Sequence, residues 1–170
     1  MASLMEDFMD VLEKENVEYE QLTELSLEKR QIIIAGDVPA LEEITGREQE
    51  ITSNLKNLEN KREQVVKDMA IVLSKEPQEL TITNMIAFLN KQPEEQQKLQ
   101  DIRKRLKDTL NKMADINTQN EVLLTQAMEM VEFDLTLFKS MRQAPTTANY
   151  DKRANNTGDV LGSRGFDAKQ

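Results

Sequence analysis

Residues 41–72 read LEEITGREQEITSNLKNLENKREQVVKDMAIV, and this stretch decides the fold. Ile44, Ile51, Leu58, Val65 and Val72 recur at strict sevens, with Leu41, Glu48, Leu55, Arg62 and Met69 as the partner series. Five repeats of 3.5-residue period predict a long helix that packs in a coiled-coil-like seam. Gly46 interrupts the run at a cost of roughly 1 kcal/mol relative to Ala, which suggests close approach to a neighbouring element. Just upstream, Asp37 is placed to cap this helix. Pro39 is tolerated in the first turn, and Glu42 and Glu43 suit the positive end of the helix dipole.

Working backwards, Gly36 fits the left-handed position that ends a preceding helix. Leu4, Phe8, Val11, Leu12, Tyr19, Leu22, Leu25, Ile32 and Ile33 recur there at helical spacing, with no Pro or Gly before Gly36. Ser3 and Glu6 read as a capping box at its start. Nine acids against three bases between Met1 and Ala35 read as a solvated face opposite the seam. Working forwards, Ser74-Lys75-Glu76-Pro77 is a break. A short helix over 81–90 follows, capped by Thr81 or Thr83, with Ile82, Met85, Ile86 and Leu89 on one side. Pro93, Glu94 and Glu95 open a third long helix, which nothing breaks before Ala144-Pro145. That helix outruns the first two unless it kinks or the short segment covers the excess. From Gln143 the periodicity stops, and three of the five glycines fall between Gly158 and Gly165. The expected organisation is an all-α, antiparallel bundle of three long helices and one short one over 1–142, with a flexible tail over 143–170.

Composition narrows the chemistry. Twenty-two basic against thirty-one acidic residues give a net charge of −9, which disfavours nucleic acid and anionic membrane surfaces. The chain has no Cys and no His. Disulfides, thiolate metal sites, Ser-His-Asp triads and HExxH zinc sites are therefore excluded. Phosphate-cradling glycine loops and EF-hand loops are absent too, so no catalytic residue, metal or cofactor is expected. Acidic pairs such as Glu42/Glu43 lack the apolar surroundings that would split their pKa values. No apolar run reaches the length of a signal peptide core or a membrane span, so a cytoplasmic protein without membrane insertion is expected.

The unusual region is the third long helix. Leu99, Ile102, Leu106, Leu110, Met113 and Ile116 form one seam-width stripe. Beyond Asn120 that stripe continues through Leu124, Ala127, Met128, Val131, Leu135 and Phe138. A second stripe joins it: Val122, Leu123, Met130, Phe133 and Leu137. On a straight helix the first set faces inward and the second is turned aside. A 3.5-residue repeat would instead draw Leu123, Met130 and Leu137 into the seam, leaving Phe133 outside in either frame. Two readings follow: both faces are satisfied within the bundle, or one receives another chain. The methionines suit a surface that repacks around varied partners. Asn117 and Asn120 lie near the switch, where such residues fix register.

Three places carry a resemblance to a known family. They are Ala35-Gly36-Asp37-Val38-Pro39-Ala40-Leu41-Glu42, the segment from Asn117-Thr118-Gln119-Asn120 to Ala127, and Asn149-Tyr150-Asp151-Lys152. In order and spacing they resemble the flagellar export chaperones of the FlgN type, over about 4–152. The resemblance implies a type III export chaperone that binds hook–filament junction proteins, FlgK- and FlgL-like, near their C-terminal amphipathic helices. Such a chaperone prevents premature assembly and delivers clients to export gate components without nucleotide hydrolysis. On that resemblance Asn117, Asn120, Leu123, Leu124 and Gln126 fall in the client-proximal segment, and Tyr150 falls where the export machinery would be contacted. Pro39 departs from the family pattern, which usually has Glu there. The residues alone point to Val122, Leu123, Met130, Phe133 and Leu137 as the surface for a client helix. The alternative is a structural coiled-coil scaffold, a homodimer formed through the same stripe.

Overall fold

A computed structural model describes residues 2–143. Every regular element in them is helical: α1 (Ala2–Ala35), α2 (Val38–Leu73), α3 (Ile82–Phe88) and α4 (Pro93–Gln143). Short 3-10 turns, Pro77–Glu79 and Leu89–Lys91, flank α3. The fold is all-α. Residues 144–170, including Tyr150, lie outside the described residues, and α4 runs through Gln143, where the sequence places the start of the tail.

The connections follow from local chemistry. Gly36 has φ +67°, and the Gly36 and Asp37 amides donate to the carbonyls of Ile33 (3.1 Å) and Ile32 (3.3 Å). This pair of bonds is a Schellman motif, which satisfies the last carbonyls of α1. Asp37 then opens α2, its Oδ1 accepting from the Ala40 amide at 3.0 Å. Ser74 ends α2 in the left-handed region, at φ 52°. Thr81 caps α3 by accepting from the Asn84 amide at 3.2 Å. At the N-terminus the expectation fails: α1 already includes Ala2, so Ser3 lies inside the first turn rather than capping it.

Side-chain pairs set the register of the compact unit Met1–Ala127. Glu15 pairs with Arg62 at 2.9 Å, Glu28 with Arg47 at 3.1 Å, and Lys29 with Glu48 at 2.7 Å. From Glu15 to Glu28 and Lys29 on α1 the partner on α2 falls from Arg62 to Arg47 and Glu48, so these helices run in opposite directions. Against α4 they rise together: Glu13 with Arg105, Ser26 with Asn117, and Arg30 with Gln119, at separations of 92, 91 and 89 residues.

The apolar core gathers at one end of this unit. Met5, Phe8, Met9 and Leu12 of α1 pack with Val65, Met69 and Ala70 of α2, Met85 of α3, and Leu99 and Ile102 of α4, with Leu80 and Leu89 closing it. The short helix therefore covers the first turns of α4, not the excess length at its far end. Along α2, Ile44, Val65 and Met69 are buried, and Ile51, Leu55, Leu58 and Arg62 are half-buried. Val72 is exposed, against expectation. A straight helix drifts about 20° per heptad, which moves the last turn of the seam onto Met69, Ala70 and Leu73. Gly46 has nothing within 4 Å of a would-be Cβ. Close approach does not explain it.

The middle of α1 is buried but polar: Glu15, Asn16, Thr23 and Ser26 are all withdrawn from water. This corrects the reading of the α1 acids as uniformly solvated. Burial pushes the Glu15 carboxyl up from its ordinary range, and the attraction and hydrogen bond of Arg62 pull it partly back. Burial and the neighbouring Glu15 charge likewise raise the Tyr19 phenol.

Candidate partner-binding surface on the fourth helix

The first seam of α4 is occupied as its spacing implies. Leu99, Ile102 and Ile116 are buried, and Leu106, Leu110 and Met113 are half-buried. The 3.5-residue series continues to Asn120, which is also buried, and to Leu123 and Ala127, which are half-buried. Leu124 is 37% exposed. The straight-helix assignment is thus wrong at this turn: Leu123 is drawn in and Leu124 is turned out, as a seam following heptads requires.

Asn117 and Asn120 both pair with α1. The Ser26 hydroxyl donates to Asn117 Oδ1 at 2.9 Å, and Asn120 Nδ2 donates to the Ser26 carbonyl at 2.6 Å. A buried amide between helices can bond in few positions, so the two residues fix where α4 sits along α1. Gln126 is exposed. At the offset of these pairs, Ala35, the last residue of α1, falls level with about residue 125 of α4 at equal rise per residue. The last of these pairs on α4 is made by Asn120.

A second unit begins at Met128, and from that residue to Gln143 every side chain is exposed. Met130 (68%), Phe133 (66%) and Leu137 carry the second stripe, with Val122 exposed upstream. Met128, Val131 (58%), Leu135 and Phe138 are exposed as well. The expectation that this last set faces inward is overturned. The reading in which both stripes are satisfied within the bundle fails with it. Amphipathic spacing describes which residues share a face, not whether that face is covered.

Sequence reasoning missed the polar layer of α1. Its signal was present, because Glu15 and Ser26 stand at seam spacings from Phe8, Leu12, Tyr19 and Leu22, where apolar residues are the usual choice. Among the described residues there is no group of His, Cys, Asp or Glu arranged to hold a metal ion. No described helix is long and apolar enough to cross a membrane.

From Met128 onward large apolar side chains stand exposed on more than one face of the helix, beside a polar face that carries Glu129, Glu132, Thr136 and Lys139. The class so defined is an all-α protein of long helices. The chain belongs to the FlgN family: the family profile described as FlgN protein matches residues 1–158. Members are generally flagellar export chaperones for hook-associated proteins and are not known as enzymes. No curated protein and no solved structure matches the chain.

Proposed function

We propose that this protein is a cytoplasmic chaperone of flagellar type III export. It binds hook–filament junction proteins, FlgK- and FlgL-like, through the apolar second half of α4. The observation that carries this reading is the exposure of Val122, Met130, Phe133 and Leu137 together with Met128, Val131, Leu135 and Phe138. An amphipathic client helix laid along this segment buries its own apolar face and keeps both surfaces from premature assembly. The methionines adapt the surface to more than one client, because an unbranched thioether repacks at little cost. Delivery to the export gate then needs only release of the helix, with no nucleotide and no cofactor. Leu123, half-buried, sits at the edge of this surface, and Asn117, Asn120 and Gln126 border it in sequence. Tyr150 is the proposed export-machinery contact. The coiled-coil-like helices over 1–142 carry the surface, and the residues beyond Gln143 serve as a tail.

The test is a titration of the full chain with a peptide spanning a client's C-terminal amphipathic helix, beside sedimentation of the free protein. Saturable 1:1 binding by a monomer supports the chaperone reading. A tight homodimer that ignores the peptide supports the scaffold instead.

A further inference from the structure

A second feature lies wholly within Met1–Ala127 and concerns how firmly α4 is held there. The apolar cluster takes in Leu99 and Ile102 of α4, with Leu106 packed against it, and no residue of α4 beyond Leu106. From there to Ala127 only Ile116 and Asn120 are buried. The hydrogen bonds that join this stretch to α1 are all between polar groups of its middle turns. The Ser26 hydroxyl donates to Asn117 Oδ1, Asn120 Nδ2 to the Ser26 carbonyl, and Arg30 to Gln119.

This polar contact is not fully matched. Among the described residues, four buried side-chain atoms have no hydrogen-bond partner: Asn16 Oδ1, Glu18 Oε2, Arg30 Nε and Asn120 Oδ1. All four lie on α1 between residues 16 and 30 or at Asn120 of α4, and none belongs to the apolar end. Rotating the Asn120 amide by 180° gives no relief, because Nδ2 is needed to donate to the Ser26 carbonyl and an oxygen there would face an oxygen. While α4 is docked, the Asn120 and Arg30 atoms are shut off from water as well as from a partner. Lifting this stretch off α1 hydrates them, which offsets part of the packing lost. Opening at Leu99 and Ile102 exposes apolar surface and regains nothing.

We propose that the contact between α1 and residues 113–127 of α4 is a releasable latch. The helix has a fixed root, held at Leu99 and Ile102, and an arm that leaves α1 while the root and the α1–α2 hairpin stay folded. The turns from Met128 onward are continuous with the arm and move with it when it is released. The latch does not depend on what those turns bind.

The chain has no Cys, so one introduced thiol reports opening without background. Ile102 and Ile116 are matched positions on α4, 4% and 6% exposed, one in the root and one in the arm. With excess DTNB, and each rate divided by that of the unfolded chain, Ile116→Cys should react at least about tenfold faster than Ile102→Cys. Low urea should hardly change the Ile116→Cys rate, because lifting the arm exposes little surface, whereas the Ile102→Cys rate should follow global unfolding. Asn120→Leu puts an apolar side chain of the same branched shape in place of the unmatched amide. It should slow the Ile116→Cys reaction at least about threefold and leave that of Ile102→Cys unchanged. Hydrogen exchange on the unsubstituted chain needs no variant to fold. Its amides over 113–125 should exchange at least about tenfold faster than those over 96–106, because a helix released from its neighbour frays. Equal rates at the two thiols, equal protection of the two stretches, or an Ile116→Cys thiol that Asn120→Leu does not slow would each overturn the latch.

Discussion

The early turns of α4 and its last turns are written in the same alphabet yet have opposite fates. Leu99, Ile102 and Ile116 are buried against α1 and its neighbours, whereas Met130, Phe133 and Leu137 are exposed. Apolar content does not separate them; the number of faces does. One seam-width stripe is satisfied by one groove, and a helix apolar on more than one side needs either a deeper core or another molecule. Here the intramolecular pairs end at Arg30 with Gln119 and Asn120 with Ser26.

The contrast is sharpest in stability. Leu99→Ala removes a fully buried side chain and should cost about 3 kcal/mol, within the range for such cavities. Val131→Asp, at an exposed position, should change stability by no more than about 0.5 kcal/mol. Chemical denaturation of the two variants checks both, and comparable losses would erase the distinction between the two regions. Next in size is binding. Phe133→Asp should weaken client-peptide affinity by at least about 2 kcal/mol, a loss typical of an aromatic interface anchor, while leaving the melting curve in place. An unfolded Phe133→Asp protein would mean that this face is core after all.

Two smaller effects probe the scaffold that holds the buried seam. Gly46→Ala places a methyl in open space within a helix and should stabilise by roughly 1 kcal/mol, visible as a raised melting temperature. The last concerns the buried Glu15. Its folded-state pKa is raised, chiefly by burial, so the folded protein binds this proton more tightly than the unfolded chain does. Stability from this group therefore increases as pH falls through the raised pKa toward the ordinary glutamate range, and is absent above it. Glu15→Gln should flatten that part of the stability–pH curve, and an unchanged slope would assign the dependence to other carboxylates.

The fold was legible because its signals are local. Asp37 beside Gly36 marks a turn whatever surrounds it, the sevens from Ile44 to Val65 describe one seam, and Pro77 and Pro93 bound the short helix. What escaped was set by neighbours. Ser3 and Glu6 have the spacing of a cap, but spacing cannot say that the helix already includes Ala2. Glu15 looks like any other acid of α1 until Arg62 is brought beside it from 47 residues away. Likewise, Leu123 and Leu124 are adjacent and equally apolar, and only the supercoil frame tells which one turns inward. For the last turns of α4 the composition was readable but the exposure was not, because spacing says which residues share a face and not what covers it.

The tight Gly36–Asp37 turn also has a consequence in time. It joins two helices whose contacts need only a short loop to close, so the α1–α2 hairpin can form while the rest of the chain is still being made. The links from α1 to α4 span about ninety residues and must wait for α4 to be synthesised. A nascent hairpin offering its open groove before its own third long helix arrives should be the most aggregation-prone stage in the life of this chain. Variants that slow the closure of α4, such as Asn120→Ala, should reveal themselves in yield of soluble protein before they do in the melting temperature.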